Sequence, residues 1–303
     1  MRTAYLGRPE GALALAAAGH EIVAAGISGL GTGSASLVAA LGTRPDSIRF
    51  LPRLARGEEG TLLGSSGARL LVCFLWPRLV PPAVLGGFRE GALSYHPSLL
   101  PRHRGPDPYF WTVYCGDREA GVSILWLDAG VDTGPIVAQR RIAVSAEWTA
   151  GDLADRLDAL GLDLLVATVD RLEVAGRLPC SPQDEAGATA APQPDDDLVA
   201  IRWSQRAADI ERLVRAASPH PGAATIVGEQ LVVVRRARVH DLPSPGALEP
   251  GDAVLIDAGV LVWTGEGGLL LDEIAVPGAT FQGLEVARAF PGLSDLRRDR
   301  RAR

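Results

Sequence analysis

Apolar positions along the first half of the chain fall into two kinds of run, and their spacing separates strands from helices. Residues 2–7, RTAYLG, make a short apolar run closed by Gly7, and residues 20–27, HEIVAAGI, make another. Between them PEGALALAAAG opens on Pro9 and closes on Gly19, the punctuation of a helix. Strand, helix and strand within about thirty residues is the βαβ unit of an open sheet, whose buried strands read as continuous apolar stretches. ARLLVCFL at 68–75 repeats the strand pattern, PPAVLGGF after it reads as a short helix opened by proline, and GALSYH (91–96) and GVSILWLD (121–128) add strands. The last of these alternates enough to sit near a sheet edge. Together they predict a doubly wound, mainly parallel, Rossmann-like α/β domain over residues 1–177.

The pattern then changes twice. Within residues 149–176, Leu153, Leu157, Leu160, Leu164, Leu165, Val169 and Leu172 recur at three- and four-residue steps, which predicts a long amphipathic helix. Over residues 178–200 periodicity vanishes and Pro, Gln, Asp and Ala dominate, the composition of an interdomain linker. RAADIERLVRAA (206–217) reads as a helix. Segments 224–239, 252–265 and 268–276 read as strands separated by Gly, Pro and Asp turns, which predicts a small OB-like β-barrel over 201–295. A basic tail, LRRDRRAR, follows at 296–303.

Composition narrows the function. A chain of 303 residues with 47% apolar content can bury two cores. No run reaches the eighteen apolar residues of a membrane span, and the N-terminal stretch is broken by charge and Gly before it could serve as a secretory signal, so a cytoplasmic protein is expected. Cys73, Cys115 and Cys180 stand in no ligand pattern, so neither a metal site nor a disulfide framework is expected. Formal charge is −6, and all 30 cations are arginine, for the chain contains no Lys and no Asn. An acidic chain has little field to attract a polyanion, which argues against nucleic acid as a partner.

The candidate chemistry lies in LSYHPSLLPRHRG, residues 93–105, and DAGVDTG, residues 128–134. His96 and Asp132 each follow an expected strand end, where ligands bind in open α/β sheets. A neutral His is the default proton carrier near pH 7, and a nearby carboxylate orients the ring and stabilises its cation. Pro97 and Pro101 restrict the backbone around the imidazole. Arg102, His103 and Arg104 could hold an anionic tail of donor or acceptor, and Gly7 with Arg8 could hold an acceptor phosphate at a helix N-terminus.

HPSLLPRHRG followed by GDREAGVSILWLDAGVDTGPIVAQ resembles the folate-dependent formyltransferase superfamily, which includes methionyl-tRNA formyltransferase and the hydrolase domain of 10-formyltetrahydrofolate dehydrogenase. IRWSQRAADIERLVRAASPHPGAAT, residues 201–225, is similar to the start of the methionyl-tRNA formyltransferase C-terminal domain, so the likeness spans most of the chain. The resemblance implies a Rossmann-like catalytic domain, an OB-like C-terminal domain, 10-formyltetrahydrofolate as formyl donor and no metal. It implies that His96 stabilises the tetrahedral intermediate and shuttles protons while Asp132 orients water and tunes the ring. It also implies that the pterin lies against Asp128, Ala129, Gly130 and Val131 and against Trp76 and Leu79.

One position departs from the family pattern. The family centre is Asn-x-His…Asp, with the Asn amide donating to the formyl oxygen, whereas Ser94 occupies that place here. Losing an oxyanion donor costs about 10²–10³ in turnover. SYHPSLLPRHRG is closest to the hydrolase domain, which lacks the Asn as well. The loop after the second strand, residues 24–42, carries no cation, unlike the basic loop with which methionyl-tRNA formyltransferases engage the acceptor stem. The expectation is therefore N-formylation of a small-molecule amine. The alternatives are a 10-formyltetrahydrofolate hydrolase, a methionyl-tRNA formyltransferase, and a non-catalytic folate- or partner-binding homologue.

Overall fold

The computed structural model describes residues 1–28, 39–42, 48–50, 60, 63, 66–240, 248–290 and 294–295. Most of the uncharged 24–42 segment and the basic tail lie outside them. The chain divides into two compact units: residues 1–108, 119–143 and 154–192 form the first, and 109–118, 144–153 and 193–303 the second.

The first unit is built on a seven-stranded sheet. Its strands are β1 (Arg2–Gly7), β2 (Glu21–Ile27), β3 (Ile48–Phe50), β4 (Leu70–Phe74), β5 (Ala92–His96), β6 (Glu119–Trp126) and β7 (Ile136–Ala143), in the order β3-β2-β1-β4-β5-β6-β7. β1 to β5 pair in parallel, while β6 runs antiparallel to β5 and β7 antiparallel to β6. Every residue of β4 is buried, which is why it reads as an unbroken apolar run.

Helix α1 (Pro9–Ala17) begins with proline in its first turn and ends where Gly19, at φ +89°, lets the His20 N–H reach back to the Leu15 carbonyl. Helix α4 (Ala150–Ala175) starts from a reciprocal cap, in which Asp152 N donates to Thr149 Oγ1 and Thr149 N to Asp152 Oδ2. Between them stand the short α2 (Pro82–Leu85) and α3 (Pro108–Tyr114).

Glycines let α1 and α4 approach one face of the sheet closely. A Cβ at Gly11 would fall 2.2 Å from the Tyr5 hydroxyl, and one at Gly161 only 1.9 Å from the Tyr95 ring. Tyr95 also stacks on Phe74 with centroids 4.6 Å apart, so strand alternation sends its neighbours Ser94 and His96 to the opposite face. There Leu6, Leu71, Cys73, Ala92, Val80 and Phe88 form a buried cluster, with half-buried Trp76 and Leu127 against it.

In the second unit, α5 (Asp196–Val199) and α6 (Ala207–Ala216) precede a sheet of β8 (Ala223–Val227), β9 (Gln230–His240), β10 (Ala253–Ile256), β11 (Gly259–Trp263), β12 (Gly268–Val276), β13 (Ala279–Gln282) and β14 (Ser294–Asp295). β12 pairs with β9 along its length, while β11 takes one end of its other edge and β13 the remainder. Register shifts around Glu273 bend the strand between those partners.

Candidate active site

His96 is the last residue of β5, and its antiparallel partner on β6 is Ser123. Because Leu93 pairs with Trp126 and Leu127 N donates to Ala92 O, the C-terminal end of β6 lies beside the start of β5. The two loops therefore leave from opposite ends of their strands. Both turns follow strand ends, but those ends lie at opposite edges of the sheet and not at one edge as expected; the residues still meet, because residues 127–135 fold back.

Asp128 organises that return. Its Oδ1 accepts from Gly130 N at 3.0 Å and from Thr133 Oγ1 at 2.7 Å. Trp126 N donates to Pro135 O, and Gly134 passes so close to the Trp126 carbonyl that a Cβ would sit 1.8 Å from its oxygen. Asp132 adopts φ +54°, a conformation that Asp tolerates better than most residues. Its Oδ2 lies 3.4 Å from His96 Nδ1 and accepts from Gly105 N at 2.9 Å.

The other side of the imidazole is fixed as well. His96 Nε2 donates to the His103 carbonyl at 2.8 Å. A carbonyl can only accept, so Nε2 carries the proton and Nδ1 is bare whenever the ring is neutral. That bare nitrogen faces the Asp132 carboxylate. The His96 side chain is 5% exposed and that of Asp132 20%, so the carboxylate is the more accessible member of the pair. Asp132 Oδ1 has no hydrogen-bond partner among the described residues.

Buried Ser123 holds the 97–101 turn in place. Its Oγ donates to Ser98 O at 2.6 Å and accepts from Leu100 N at 3.2 Å and Gln139 Nε2 at 2.8 Å. A second support comes from residues 181–191, which composition reads as linker. Ser181 and Ile136 exchange two backbone hydrogen bonds of 2.8 and 2.9 Å. Thr189 accepts from Arg104 N through its carbonyl and from His103 N through Oγ1, both at 2.8 Å. Gln183 Nε2 donates to the carbonyls of Asp132 and Gly134, each at 2.7 Å. Ser123, Gln139, Gln183 and Thr189 carry no motif, and none stands out in the sequence.

The remaining expected site residues divide. Ser94 is half-buried on the His96 face, and its hydroxyl makes only a long 3.4 Å contact to the Tyr95 carbonyl. The Trp76 indole N–H is buried without a hydrogen-bond partner among the described residues. Leu79 and Val131 are large apolar side chains left 65% and 47% exposed, and Ala129 is exposed beside Val131.

The expected anion site is only partly available. Arg104 is a correction: its Nε and Nη2 donate to Gln183 Oε1 and its Nη1 and Nη2 to Glu185, so four of its five N–H donors are already engaged. The hydrogen bond to Glu185 raises the arginine pKa further and holds the Glu185 carboxyl below its usual range. His103 is a second correction, since it is buried at φ +57° and serves the site through its backbone. Arg102 is exposed beside it, with Nη2 3.5 Å from His103 Nε2. Gly7 is explained by packing, for a Cβ there would fall 2.0 Å from the Phe74 carbonyl oxygen. Arg8 extends toward Asp158, 3.5 Å away, and Asp158 accepts from Tyr95 on the face opposite His96.

Residues 50–169 match the family model described as formyl transferase, and residues 195–288 match its C-terminal domain. A methionyl-tRNA formyltransferase of Coxiella burnetii (strain RSA 493 / Nine Mile phase I) is 38% identical over 223 residues, covering 73% of this chain and 69% of that protein. One from Ruegeria pomeroyi is 32% identical over 303 residues, covering 96% and 98%. Among solved structures, HypX from Aquifex aeolicus in complex with tetrahydrofolic acid superposes with a TM-score of 0.67 at 18% identity. That match covers 97% of this chain and 48% of HypX, so the chain spans about half of that protein. WlaRD, a sugar 3N-formyl transferase crystallised in the presence of dTDP and 5-N-formyl-THF, superposes with a TM-score of 0.64 at 13% identity, covering 94% and 98%.

Proposed function

The chain belongs to the formyl transferase family, and from that premise we propose that it moves the formyl group of 10-formyltetrahydrofolate onto the primary amine of a small molecule. The observation that carries the reading is the His96 imidazole, held between a carbonyl at Nε2 and a carboxylate at Nδ1.

In the proposed reaction the amine lone pair attacks the formyl carbon, forming the new C–N bond and a tetrahedral oxyanion. The proton lost by the amine nitrogen passes to His96 Nδ1, where Asp132 Oδ2 stabilises the resulting imidazolium. Asp132 Oδ1 is open to hold the amine or a water that relays this proton. Collapse of the intermediate breaks the bond to N10 of the folate, and the proton on His96 goes to that nitrogen. Charge in the expelled product is thereby neutralised without free hydroxide or hydronium. Trp76, Leu79 and Val131 offer the apolar surface for the pterin, and the Ser94 hydroxyl is free to donate to the formyl oxygen.

Charge favours a small acceptor. Residues 201–290 hold eight arginines against eleven Asp and Glu. Five of those arginines, Arg206, Arg212, Arg215, Arg238 and Arg288, are in ion pairs. Nucleic-acid affinity depends mainly on phosphate neutralisation, and residues 201–290 have little cation to offer outside the short basic tail at 296–303. The second reading, a methionyl-tRNA acceptor, is favoured by the 38% identity to relatives of that name. An acceptor screen decides between them: tetrahydrofolate release is expected to rise with amino-sugar nucleotides or other small amines and not with methionyl-tRNA. Stimulation by methionyl-tRNA alone would reverse the assignment, and release independent of any acceptor would make the protein a hydrolase.

A further inference from the structure

The backbone and the side chain of Asp132 are tied to the same dipeptide. Its carboxylate accepts from Gly105 N–H at 2.9 Å. Its carbonyl accepts from Gln183 Nε2 at 2.7 Å, and Gln183 Oε1 in turn accepts from Arg104 Nε at 3.0 Å and Nη2 at 2.8 Å. Arg104 is bonded to Gly105, so the path closes: Asp132 carboxylate, Gly105, Arg104, Gln183, Asp132 carbonyl. From this ring we infer that Gln183 is a positioning residue for the His96–Asp132 pair.

The geometry leaves each member one job. Asp132 sits at φ +54°, which Asp tolerates better than most residues but which its surroundings must still hold against the extended alternative. Gln183 supplies that constraint, because its two amide hydrogens occupy the Asp132 and Gly134 carbonyls on either side of Thr133. Its oxygen takes two donors from one guanidinium, so the amide cannot rotate by half a turn without placing N–H against N–H. Glu185 holds the far edge of the same guanidinium, with Nη1 and Nη2 at 2.9 and 2.8 Å. Freed of Gln183, the 128–134 turn can relax, and the carboxylate drifts from His96 Nδ1. Val131 adjoins Asp132 in the chain, so the same relaxation reaches one part of the apolar surface expected to hold the pterin, whereas Trp76 and Leu79 lie outside the turn.

The inference rests on the formyl-transfer reading above, and its test separates the two. Gln183→Met keeps the length of the side chain and removes both donors, while Gln183→Glu keeps the acceptor for Arg104 and removes the donors at neutral pH. Tetrahydrofolate release from 10-formyltetrahydrofolate is measured for the parent and both variants, with thermal unfolding followed in parallel. A displacement of about 1 Å at a reacting group can cost 10²-fold, so kcat should fall about 10- to 100-fold in both variants, with a distinctly smaller rise in donor KM. A purely structural residue would lower the melting temperature and raise KM together. Parental kcat in Gln183→Met, from an active parent, overturns the positioning role and leaves the formyl-transfer reading intact. A parent that releases no tetrahydrofolate with any acceptor overturns both. Should Gln183→Met fail to fold, Gln183→Glu decides by the same split between kcat and KM.

Discussion

His96 Nδ1 lies 3.4 Å from Asp132 Oδ2 although the two strands that lead to these residues run in opposite directions. The contact exists because the 127–135 loop returns along the sheet and is fastened at Asp128, Gly105 and Gln183. Replacing Asp132 by Asn keeps the shape and removes the charge that holds the imidazolium. General acid–base catalysis contributes about 10²–10⁴-fold, and kcat for Asp132→Asn should fall within that range while donor KM stays near its parental value. A loss expressed wholly in KM would mean that the carboxylate binds folate instead.

Ser94 occupies the place where the family pattern has an amide donor, and its hydroxyl is almost uncommitted. Asn at this position reaches further and brings two N–H donors. If the formyl oxygen is under-supported in the parent, Ser94→Asn should raise kcat toward the about 10²-fold that one oxyanion donor supplies. Steady-state rates at saturating donor read this directly. An unchanged or lower rate would mean that the pocket is fitted to serine.

Gly161 faces the Tyr95 ring at a distance that admits no side chain. Tyr95 is adjacent to both Ser94 and His96, so pressure on the ring is also pressure on the strand that carries the site. Overpacking costs about 1–3 kcal/mol, and Gly161→Ala should lower the unfolding free energy measured in urea by that amount although alanine is the better helix former. A stabilised variant would show that α4 shifts freely over β5.

Burial pushes the Cys73 thiol up to about 12, whereas Cys115 and Cys180 are exposed. Because the folded value is raised above the about 8.5 of a free thiol, the fold favours the protonated form. The stability tied to Cys73 is complete below about pH 8.5 and declines as pH rises toward the folded value. Thiol labelling at pH 8 should count two reactive cysteines in the folded protein and three in denaturant. Three in the folded state would contradict the packing of β4.

Much of this was legible in the sequence for reasons that can be named. β1, β2 and β4 are buried on both faces and so appear as continuous apolar runs, and α4 displays its buried leucines at helical spacing. β7 was not legible, because an edge strand reading IVAQRRIA exposes its arginines and gives no apolar signal. Helix α3, PYFWTVY, is built from aromatic and β-branched residues that carry no helical preference. The direction of β6 cannot be read locally, since alternation reports burial and not the orientation of a neighbour.

The site follows the same division. His96 and Asp132 stand in rigid, chemically distinctive turns and could be singled out. Gln183 sits among Pro, Asp and Ala, where composition suggests a connection, and its two carbonyl partners are invisible until the fold brings them close. Arg104 shows the converse. Its charge suggests an anion site, and only the fold brings Gln183 and Glu185 onto its guanidinium.

The central claim is that one imidazole, steadied by one carboxylate, carries the proton of formyl transfer. Single-turnover release of tetrahydrofolate from enzyme-bound 10-formyltetrahydrofolate, compared between the parent and His96→Ala under matched donor occupancy, tests it most directly. The account predicts release from the parent and a loss of at least about 10²-fold in the variant, with the donor still bound. Release from His96→Ala at a rate close to the parent would contradict it.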